Sequence, residues 1–422
     1  LKMVNENLKK IIKKNNLFSL IILSLFLIGC QEIIIEKNNF IEIKSNEDLN
    51  PLINLMADKE FVLLGESTHG TQEFYEIRST ISKKLIEKHN FNYIAVEGDW
   101  HDIYKINLYI KGLSEKNNAK EVLQTFNRWP QWMWSNKVIE ELAEWLKEYN
   151  DQLPYEEKIG FYGMDVYGVE NSINVLQNNL NIEYECLTNF KEDFSLYANY
   201  LSFGNHPCNE EAQEIYLKIK NNNFNLTDKE LFYYKQNAFV VKNAEIHYRA
   251  MIDQRLSSWN ERVIHMNQTL KKLSKLGKGI VWAHNTHVGD ASQTSMVRQN
   301  SFNIGQLLRE ANKNVFILGF GTYKGEVLAG TQWGYVMEKM NIPEANKNSY
   351  EYILKNKGLN KTLILFENEL PNSLKSINNN RAIGVVYNPQ QEYPGNYVST
   401  NLIKRYDAFI FIKETNALQI LN

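Results

Sequence analysis

The sequence is poor in cysteine and carries no excess of positive charge. Only three of its 422 residues are cysteines, and the formal net charge at pH 7 is −2. A nucleic-acid-binding protein needs surplus lysine and arginine to neutralise phosphates, so we expect no nucleic-acid partner. There is also no internal repeat and no long low-complexity segment. What remains is an ordinary globular composition, 43% hydrophobic and 23% charged, with enough apolar residues for a sizeable core.

Two well-known catalytic motifs are missing as well. No G-x-S-x-G turn precedes a helix, so a serine nucleophile of the α/β-hydrolase type is not expected. The helical H-E-x-x-H motif of zinc proteases is absent, and no cysteine supports a zinc site. After Cys30 only Cys186 and Cys208 remain, so at most one intramolecular disulfide can form, and the sequence leaves open whether they pair.

The first thirty residues differ from the rest of the chain. A basic stretch, residues 8–16, is followed by an uninterrupted apolar run over residues 17–29 and then by Cys30. The run is short for a membrane span and fits a secretory signal, although a single-pass N-terminal anchor is an alternative. Leu27-Ile28-Gly29-Cys30 resembles a bacterial lipobox, in which the cysteine is lipidated and becomes the first mature residue.

These features predict a signal peptide over residues 1–29, a tether over residues 30–45 and a domain over residues 46–422. The lipidated Cys30 would hold the protein at a membrane of the bacterial cell envelope, facing outside the cytoplasm.

Eight short apolar runs predict buried strands. They are apolar at successive positions, as expected for strands covered on both faces. Helical patterns separate many of them, for example Glu73 to His89 and Asn303 to Asn312. This alternation predicts an α/β fold with a largely parallel central sheet flanked by helices. The predicted strands are Phe61 to Glu66, Tyr93 to Gly98, Ile159 to Asp165, Gly279 to Asn285, Val315 to Gly321, Thr362 to Phe366, Ala382 to Asn388 and Ala408 to Lys413.

Two longer stretches interrupt the alternation, near residues 100–150 and 181–276. The first is rich in aromatics between Arg128 and Trp134, and the second contains a long, mostly helical pattern from Asp228 to Leu276. We interpret both as helical insertions that form a cap or side lobe. Such a lobe can wall a substrate cleft or simply complete the core.

Polar and titratable residues gather where the first four predicted strands end. In a parallel sheet the carboxyl ends lie on one edge, where open α/β folds place their ligand sites. Each residue alone has an ordinary structural explanation, such as a helix cap, a turn or a hydrogen-bonded core histidine. Their convergence from four strands favours a functional site. The residues are Glu66 and His69, then Glu97, then Asp165, and finally His284, Asn285 and His287.

These side chains suit general acid–base chemistry. His69, and His284 or His287, can serve as bases near neutral pH, while Glu66 or Glu97 orients an imidazole. Arg78, in the following helix, can anchor the carboxylates or stabilise a developing oxyanion. The neighbouring Ser67 is better explained as a turn residue. We therefore favour a histidine-activated water that attacks an acyl centre, with a divalent metal held by the histidines and carboxylates as the competing explanation.

The motifs at these strand ends resemble those of the erythromycin esterase family. GESTHGTQEFYEIR at residues 65–78, VEGDW at 96–100, GMDVYG at 163–168 and AHNTHVG at 283–289 occur in that family's order. SWNERVIHMNQTL at residues 258–270 is similar to its arginine-containing helix, with Arg262 at the matching place, although His265 departs from the usual neighbours. The similarity runs from about residue 61 to residue 414.

The resemblance implies an esterase with an α/β fold that cleaves a carboxylic ester with water and needs neither a metal nor another cofactor. His69 matches the proposed general base, and the residues matching Glu66, Arg78, Glu97, His284 and His287 line the same cleft. We expect Asp165, Asn285 and Arg262 to contact the substrate. Members named for the antibiotic open 14-membered macrolide lactones, which makes a macrolide the leading substrate.

Two other functions are also compatible with the sequence. A ligand-binding or haem-binding envelope lipoprotein could use the same histidines, although such a binder has no evident need for two glutamates and an arginine at one rim. A metal-dependent hydrolase of an envelope ester or peptide is the other alternative.

Overall fold

The computed structural model describes residues 39–192, 207–252, 257–311, 313–367 and 369–421. The predicted signal peptide and the lipidation site at Cys30 lie outside these residues. In the described parts of the chain, no helix combines the length and the apolar character needed to cross a membrane.

A nine-stranded mixed sheet forms the centre of the fold. Its order is β1-β8-β11-β6-β2-β5-β3-β4, with β7 paired to β6, while β9 and β10 form a separate two-stranded sheet. The strands are β1 Phe40–Glu42, β2 Phe61–Leu64, β3 Phe91–Asp99, β4 Gly160–Asp165, β5 Lys278–Trp282, β6 Val315–Gly330, β7 Met337–Ile342, β8 Lys361–Leu365, β9 Asn378–Arg381, β10 Tyr397–Thr400 and β11 Ala408–Thr415.

The six strands β11, β6, β2, β5, β3 and β4 run parallel to one another. β8 pairs antiparallel with β11, β1 with β8, and β7 with β6. The residues of β2 show why this sheet needs continuous apolar runs. Val62 and Leu64 pack into one hydrophobic cluster, whereas Phe61 and Leu63 pack into another on the opposite face. Burial of each such side chain stabilises the folded state by roughly 1.5–3 kcal/mol. The predicted α/β class is confirmed.

Helices cover both faces of the sheet. The α-helices are Asn50–Met56, Gln72–His89, Trp100–Ile110, Ala119–Leu123, Lys137–Asp151, Val169–Leu180, Glu185–Glu192, Pro207–Lys220, Asp228–Ile252, Ser258–Leu273, Asn285–Val288, Ile304–Glu310, Tyr350–Asn356, Asn372–Lys375 and Leu402–Arg405. Short 3-10 helices are Asn46–Leu49, Gln131–Met133, Tyr155–Glu157, Ser274–Leu276, Ala291–Gln293, Ser295–Gln299 and Pro389–Gln391.

A helical lobe with its own hydrophobic cluster lies between β4 and β5. The cluster is built from the helices that begin at Val169, Glu185, Pro207 and Asp228, and it includes a disulfide between Cys186 and Cys208, whose Cα atoms are 5.2 Å apart. The sequence alone left this pairing open. The segment predicted as one long helical pattern contains two helices, Asp228–Ile252 and Ser258–Leu273.

Apart from shifts of a few residues at element ends, the structure differs from the predicted elements at three places. Residues 382–388 are not a strand of the central sheet, because they cross beside Thr68 and Gly330 through single bridges and bury Ile383 and Tyr387 in a small separate cluster. β1 lies within the predicted tether and pairs with β8, so the sheet begins before residue 46. β6 extends nine residues beyond the predicted Gly321, to Gly330, because its second half pairs with β7.

Candidate active site

The four strand ends singled out by the sequence meet at one edge of the sheet. β2, β5, β3 and β4 are consecutive neighbours in the sheet and run parallel. The connections that follow them therefore bring residues from distant parts of the chain within hydrogen-bond distance. This is the placement expected for a ligand site in an open α/β sheet.

The turn after β2 is shaped by two close approaches of the backbone. A Cβ atom on Gly65 would lie 2.2 Å from the Asn285 Oδ1 atom, and one on Gly70 would lie 1.9 Å from the Leu328 carbonyl oxygen. Neither distance can accommodate a side chain, so both positions require glycine. Between them the turn holds Glu66 and His69 in fixed positions above the helix Gln72–His89.

Glu66 joins a histidine to an arginine in a buried row of three side chains. The His69 Nδ1 atom lies 3.0 Å from Glu66 Oε1, and the Arg78 Nη2 atom donates to Glu66 Oε2 at 2.7 Å. Glu66 and Arg78 are almost entirely buried, and the Arg78 guanidinium lies over the rings of Tyr75 and Trp282. With Nδ1–H of His69 donating to the carboxylate, the unprotonated Nε2 atom is left to accept a proton.

The charge surrounding His69 decides its protonation. Burial lowers the pKa of His69, but the hydrogen bond to Glu66 and the charges of Glu97 and Glu66 outweigh burial, and the pKa is raised above its ordinary value. His69 is therefore a stronger base than an isolated imidazole.

A β-bulge presents Glu97 to the site. Between Val96 and Asp99, β3 has one residue more than the opposing stretch of β4, so the strand bends at Glu97 and Gly98. The two carboxylate oxygens have different partners. Oε1 lies 2.8 Å from Arg262 Nη2 and 3.2 Å from His287 Nε2, while Oε2 accepts the backbone N–H of His284 at 2.8 Å.

Arg262 forms the charged centre of the site. Its Nε and Nη2 atoms donate to the two oxygens of Asp165 at 2.8 and 2.6 Å, and Nη2 also donates to Glu97. Burial raises the pKa values of both carboxyls. The charge of Arg262 nevertheless keeps the pKa of Asp165 below its usual value, and the charges of His287 and Arg262 keep the pKa of Glu97 well below its usual value. Both carboxylates are therefore ionised at neutral pH.

The two histidines after β5 occupy different environments. His284 is the N-cap of the short helix Asn285–Val288: its Nδ1 atom accepts the Thr286 N–H, which leaves Nε2 to carry the proton of the neutral ring. Burial, together with nearby His69, holds the pKa of His284 well below its ordinary value, and the two rings are 4.9 Å apart. His287 stacks on Trp259 at 4.5 Å, and its Nε2 atom lies 3.3 Å from Arg262 Nη1.

A cavity of about 110 Å³ opens at this sheet edge. Four of the predicted site residues line it: His69, Glu97, Asp165 and Arg262. The other five, Glu66, Arg78, His284, Asn285 and His287, are buried behind these four. Asn285, expected to contact substrate, instead bonds the Phe320 backbone through both polar atoms of its side chain, at 2.7 and 3.3 Å. It ties β5 to β6 and positions the turn.

Several residues of the cavity were not singled out from the sequence. Arg128 forms a two-pronged ion pair with Asp99, in which Nη2 donates to Oδ1 at 2.8 Å. The ring of Tyr167 lies between the two guanidiniums, 5.4 Å from Arg128 and 4.7 Å from Arg262. Asp99 was signalled by its place at the end of β3, but Arg128 belongs to an aromatic stretch that carried no motif.

The aromatic stretch 129–134 divides between core and cavity. Trp132 is buried in the main hydrophobic cluster, while Trp134 lines the cavity and donates its ring N–H to the Glu97 carbonyl at 3.1 Å. Trp129 does not line the cavity itself, but its ring contacts Trp333, which does, at 4.6 Å. The stretch therefore serves both packing and the cavity wall.

Across the residues that the structure describes, no group of three or more His, Cys, Asp or Glu side chains is arranged to hold a metal ion. The carboxylate oxygens of Glu66, Glu97 and Asp165 are already engaged by guanidinium, imidazole or backbone N–H groups. A metal bound here would share these oxygens with the N–H donors or displace the donors.

Comparisons with known proteins give the family and the fold of this chain. The family model described as erythromycin esterase matches residues 86–415. The chain is 22% identical to erythromycin esterase type II of Escherichia coli over 424 residues, covering 89% of this chain and 94% of the relative. Two solved structures share the fold. A Bacillus cereus protein matches with a TM-score of 0.71 and 23% identity, covering 91% of this chain and 97% of that chain. An erythromycin esterase mutant in its open conformation matches with a TM-score of 0.62 and 14% identity, covering 88% of this chain and 94% of that chain.

Proposed function

Because this chain belongs to the erythromycin esterase family, a family of ester hydrolases, we propose that it hydrolyses a carboxylic ester with a water molecule activated by His69. The observation that carries the proposal is the row Arg78–Glu66–His69, which ends at the cavity. A histidine that donates one ring N–H to a buried carboxylate and exposes its other nitrogen to a cavity has the arrangement of a general base.

The proposed reaction needs one proton shuttle. His69 Nε2 takes a proton from water as the water oxygen bonds to the ester carbonyl carbon. Glu66 stabilises the imidazolium that forms, because its carboxylate accepts the Nδ1–H at 3.0 Å. When the bond between the carbonyl carbon and the alcohol oxygen breaks, His69 returns the proton to the departing alkoxide. The products are a carboxylic acid and an alcohol, joined in one molecule if the ester was a lactone.

Arg262 is the best candidate to stabilise the oxyanion of the tetrahedral intermediate. Its five N–H groups include one to Asp165 from Nε and two from Nη2 to Asp165 and Glu97, while Nη1 lies 3.3 Å from His287 Nε2. One N–H on Nη1 remains for a substrate oxygen. The two carboxylates hold the guanidinium in place before the substrate arrives, which is what makes such a donor effective.

His284 supports this chemistry as a neutral ring. Its pKa is held well below the ordinary value by burial, so beside His69 it adds no second positive charge that would oppose proton uptake. Glu97 connects the parts of the site, because it binds Arg262, His287 and the His284 backbone at once. We assign Glu97 and His287 to positioning the arginine.

The leading substrate is a 14-membered macrolide lactone. Its support is family membership and the name of the Escherichia coli relative, which the chain matches over nearly its whole length. The test is to incubate purified protein with erythromycin and to look by mass spectrometry for a product heavier by one water. A product formed by wild-type protein but not by His69→Ala supports the proposal. If erythromycin stays unchanged in both samples while the wild-type protein hydrolyses other esters, the substrate is an ester other than erythromycin.

We propose that the reaction needs no metal. The support is that each carboxylate oxygen of the site already has an N–H partner and that His69 has its own carboxylate partner. Activity that survives exhaustive dialysis against a chelator, with elemental analysis showing less than one metal per chain, is the expected result. Loss of activity on chelation and its return with one divalent ion would favour the metal-dependent alternative.

We also propose that the protein is anchored outside the cytoplasm through lipidated Cys30. Supporting this are the basic and apolar residues before Cys30 and the Cys186–Cys208 disulfide, which suits an oxidising compartment. Metabolic labelling with a fatty-acid analogue that is incorporated into wild-type protein but not into Cys30→Ala would support the anchor. Equal labelling of both proteins would contradict it.

A further inference from the structure

The cavity is small for the substrates that its family name suggests. It encloses about 110 Å³, whereas sites that bury drug-sized ligands typically hold roughly 300–1,000 Å³. His69, Glu97, Asp165 and Arg262 take up its polar floor. There is room for the ester group and a few atoms beside it, so most of a bulky substrate would have to lie outside the cavity.

An aromatic surface lies where that remainder would emerge. The hairpin loop 331–336, between β6 and β7, exposes Trp333 by 56%, Tyr335 by 55% and Val336 by 78%. Among the described residues Trp333 is the only tryptophan in the set of exposed large hydrophobic side chains, and it also lines the cavity. An exposed tryptophan at a cavity mouth contributes little to the core, so its placement calls for a binding role.

The loop is fixed to Trp129, whose chain neighbours Arg128 and Pro130 line the cavity. Trp129 packs against the Trp333 ring at 4.6 Å, and the Trp129 ring N–H donates to the Tyr335 carbonyl at 2.8 Å. Gly334 supplies the turn with a φ of +81°, which a residue with a side chain rarely adopts. Trp129 and Trp333, which we call the aromatic rim, are therefore held together beside the cavity by the ring contact and by the hydrogen bond from Trp129 to the loop.

The aromatic rim is continuous with the catalytic floor. The Trp333 ring lies 5.9 Å from the ring of Tyr167, and Tyr167 lies over the guanidinium of Arg262. A substrate whose carbonyl oxygen reaches Arg262 would pass along Tyr167 and meet the two tryptophans as it leaves the cavity. The rim presents flat apolar rings, which suit a macrocycle or the apolar face of a sugar better than an anionic group.

We propose that Trp129 and Trp333 form a subsite that binds the bulky apolar part of the ester substrate. This proposal rests on the proposed esterase function. The rim selects large apolar esters by binding them, while the polar cavity treats all esters alike. Small esters reach His69 without touching Trp333. The aromatic rim thus determines specificity, and its residues take no part in proton transfer.

The test measures binding separately from hydrolysis. Full-length protein with His69→Ala is titrated calorimetrically with erythromycin, alone and combined with Trp333→Ala, Trp333→Tyr or Ile377→Ala. Ile377 is a matched control because it is 69% exposed and does not line the cavity. We expect Trp333→Ala to weaken binding about tenfold, Trp333→Tyr to keep most of it and Ile377→Ala to leave it unchanged.

In protein with intact His69, kcat/KM for phenyl acetate should fall far less with Trp333→Ala than the binding of erythromycin does. Binding of erythromycin within twofold of the parent value in the Trp333→Ala protein would overturn the proposal. Absence of erythromycin binding in the parent protein would overturn it as well. If erythromycin binds through Trp333 but the His69-intact enzyme hydrolyses neither ester, the subsite stands and the esterase function fails.

Discussion

The buried ion pair between Glu66 and Arg78 offers a test that separates structure from catalysis. Neither side chain is exposed to water, and Glu66 holds both Arg78 and His69. Glu66→Gln leaves the Arg78 guanidinium without its counter-charge, and Arg78→Met leaves the carboxylate without its main partner. Removing one member of a buried pair costs about 3–5 kcal/mol of the free energy of unfolding, so each variant should lose that amount.

The double variant should recover much of this loss. Arg78 lies between the rings of Tyr75 and Trp282, at 4.4 and 4.8 Å, and its Nε and Nη1 atoms make no hydrogen bond in the described structure. A methionine suits this aromatic surrounding, and with both charges gone nothing ionic stays buried without a partner. If the single losses simply added, the double variant would lose about 6–10 kcal/mol; we expect less than about 3 kcal/mol.

Activity should not recover with stability. His69 has lost its carboxylate in the double variant, so kcat/KM should stay about 100-fold or more below wild type. Urea denaturation followed by circular dichroism measures the first quantity, and ester hydrolysis at fixed pH measures the second. Additive losses of stability would refute the view that Glu66 and Arg78 form one buried ion pair. Full activity in the double variant would refute the role of Glu66 in holding His69.

Three further predictions follow from the same site. Because the pKa of His69 is raised above 6.5 and the base must be unprotonated, kcat/KM should increase with pH and reach half its maximum above pH 6.5. Glu66→Gln should move the midpoint of this pH profile to lower pH. An unchanged midpoint would mean that a group other than His69 titrates there. Asn285→Ala should lose about 1–3 kcal/mol of stability with KM little changed, since its side chain bonds the Phe320 backbone; a large rise in KM alone would instead indicate substrate contact. Replacing both Cys186 and Cys208 by serine should lower the free energy of unfolding by about 3 kcal/mol, because the disulfide closes a loop of 22 residues. Denaturation with and without reductant measures this loss, and kcat should be retained.

Most of the site followed from the sequence because parallel strands end at a common edge. His69, Glu97 and Asp165 come directly after or at the end of buried apolar runs, so their convergence needed only the assumption of a parallel sheet. The family motifs supplied Arg262, which lies in a helix and has no strand end to mark it. The strand positions were predictable for the same reason, since runs buried on both faces are apolar throughout.

The remainder depended on contacts that no local pattern encodes. Arg128 and Asp99 are 29 residues apart, and nothing near Arg128 indicates its partner. β7 could not be predicted from an apolar run because three of the six residues of Met337–Ile342 are polar and exposed. The β-bulge at Glu97 arises from a mismatch between β3 and β4 that appears only when both are paired. Asn285 looked like a site residue because its position along the chain does not show which way its amide points.

The measurement that tests the central claim most directly is kcat/KM of His69→Ala for ester hydrolysis, with His89→Ala as the matched control. His89 ends the helix Gln72–His89 and does not line the cavity. With folding verified by circular dichroism, we predict that His69→Ala lowers kcat/KM at least 100-fold, as expected for loss of a general base, while His89→Ala retains wild-type activity. Hydrolysis by folded His69→Ala at the wild-type rate would contradict the account.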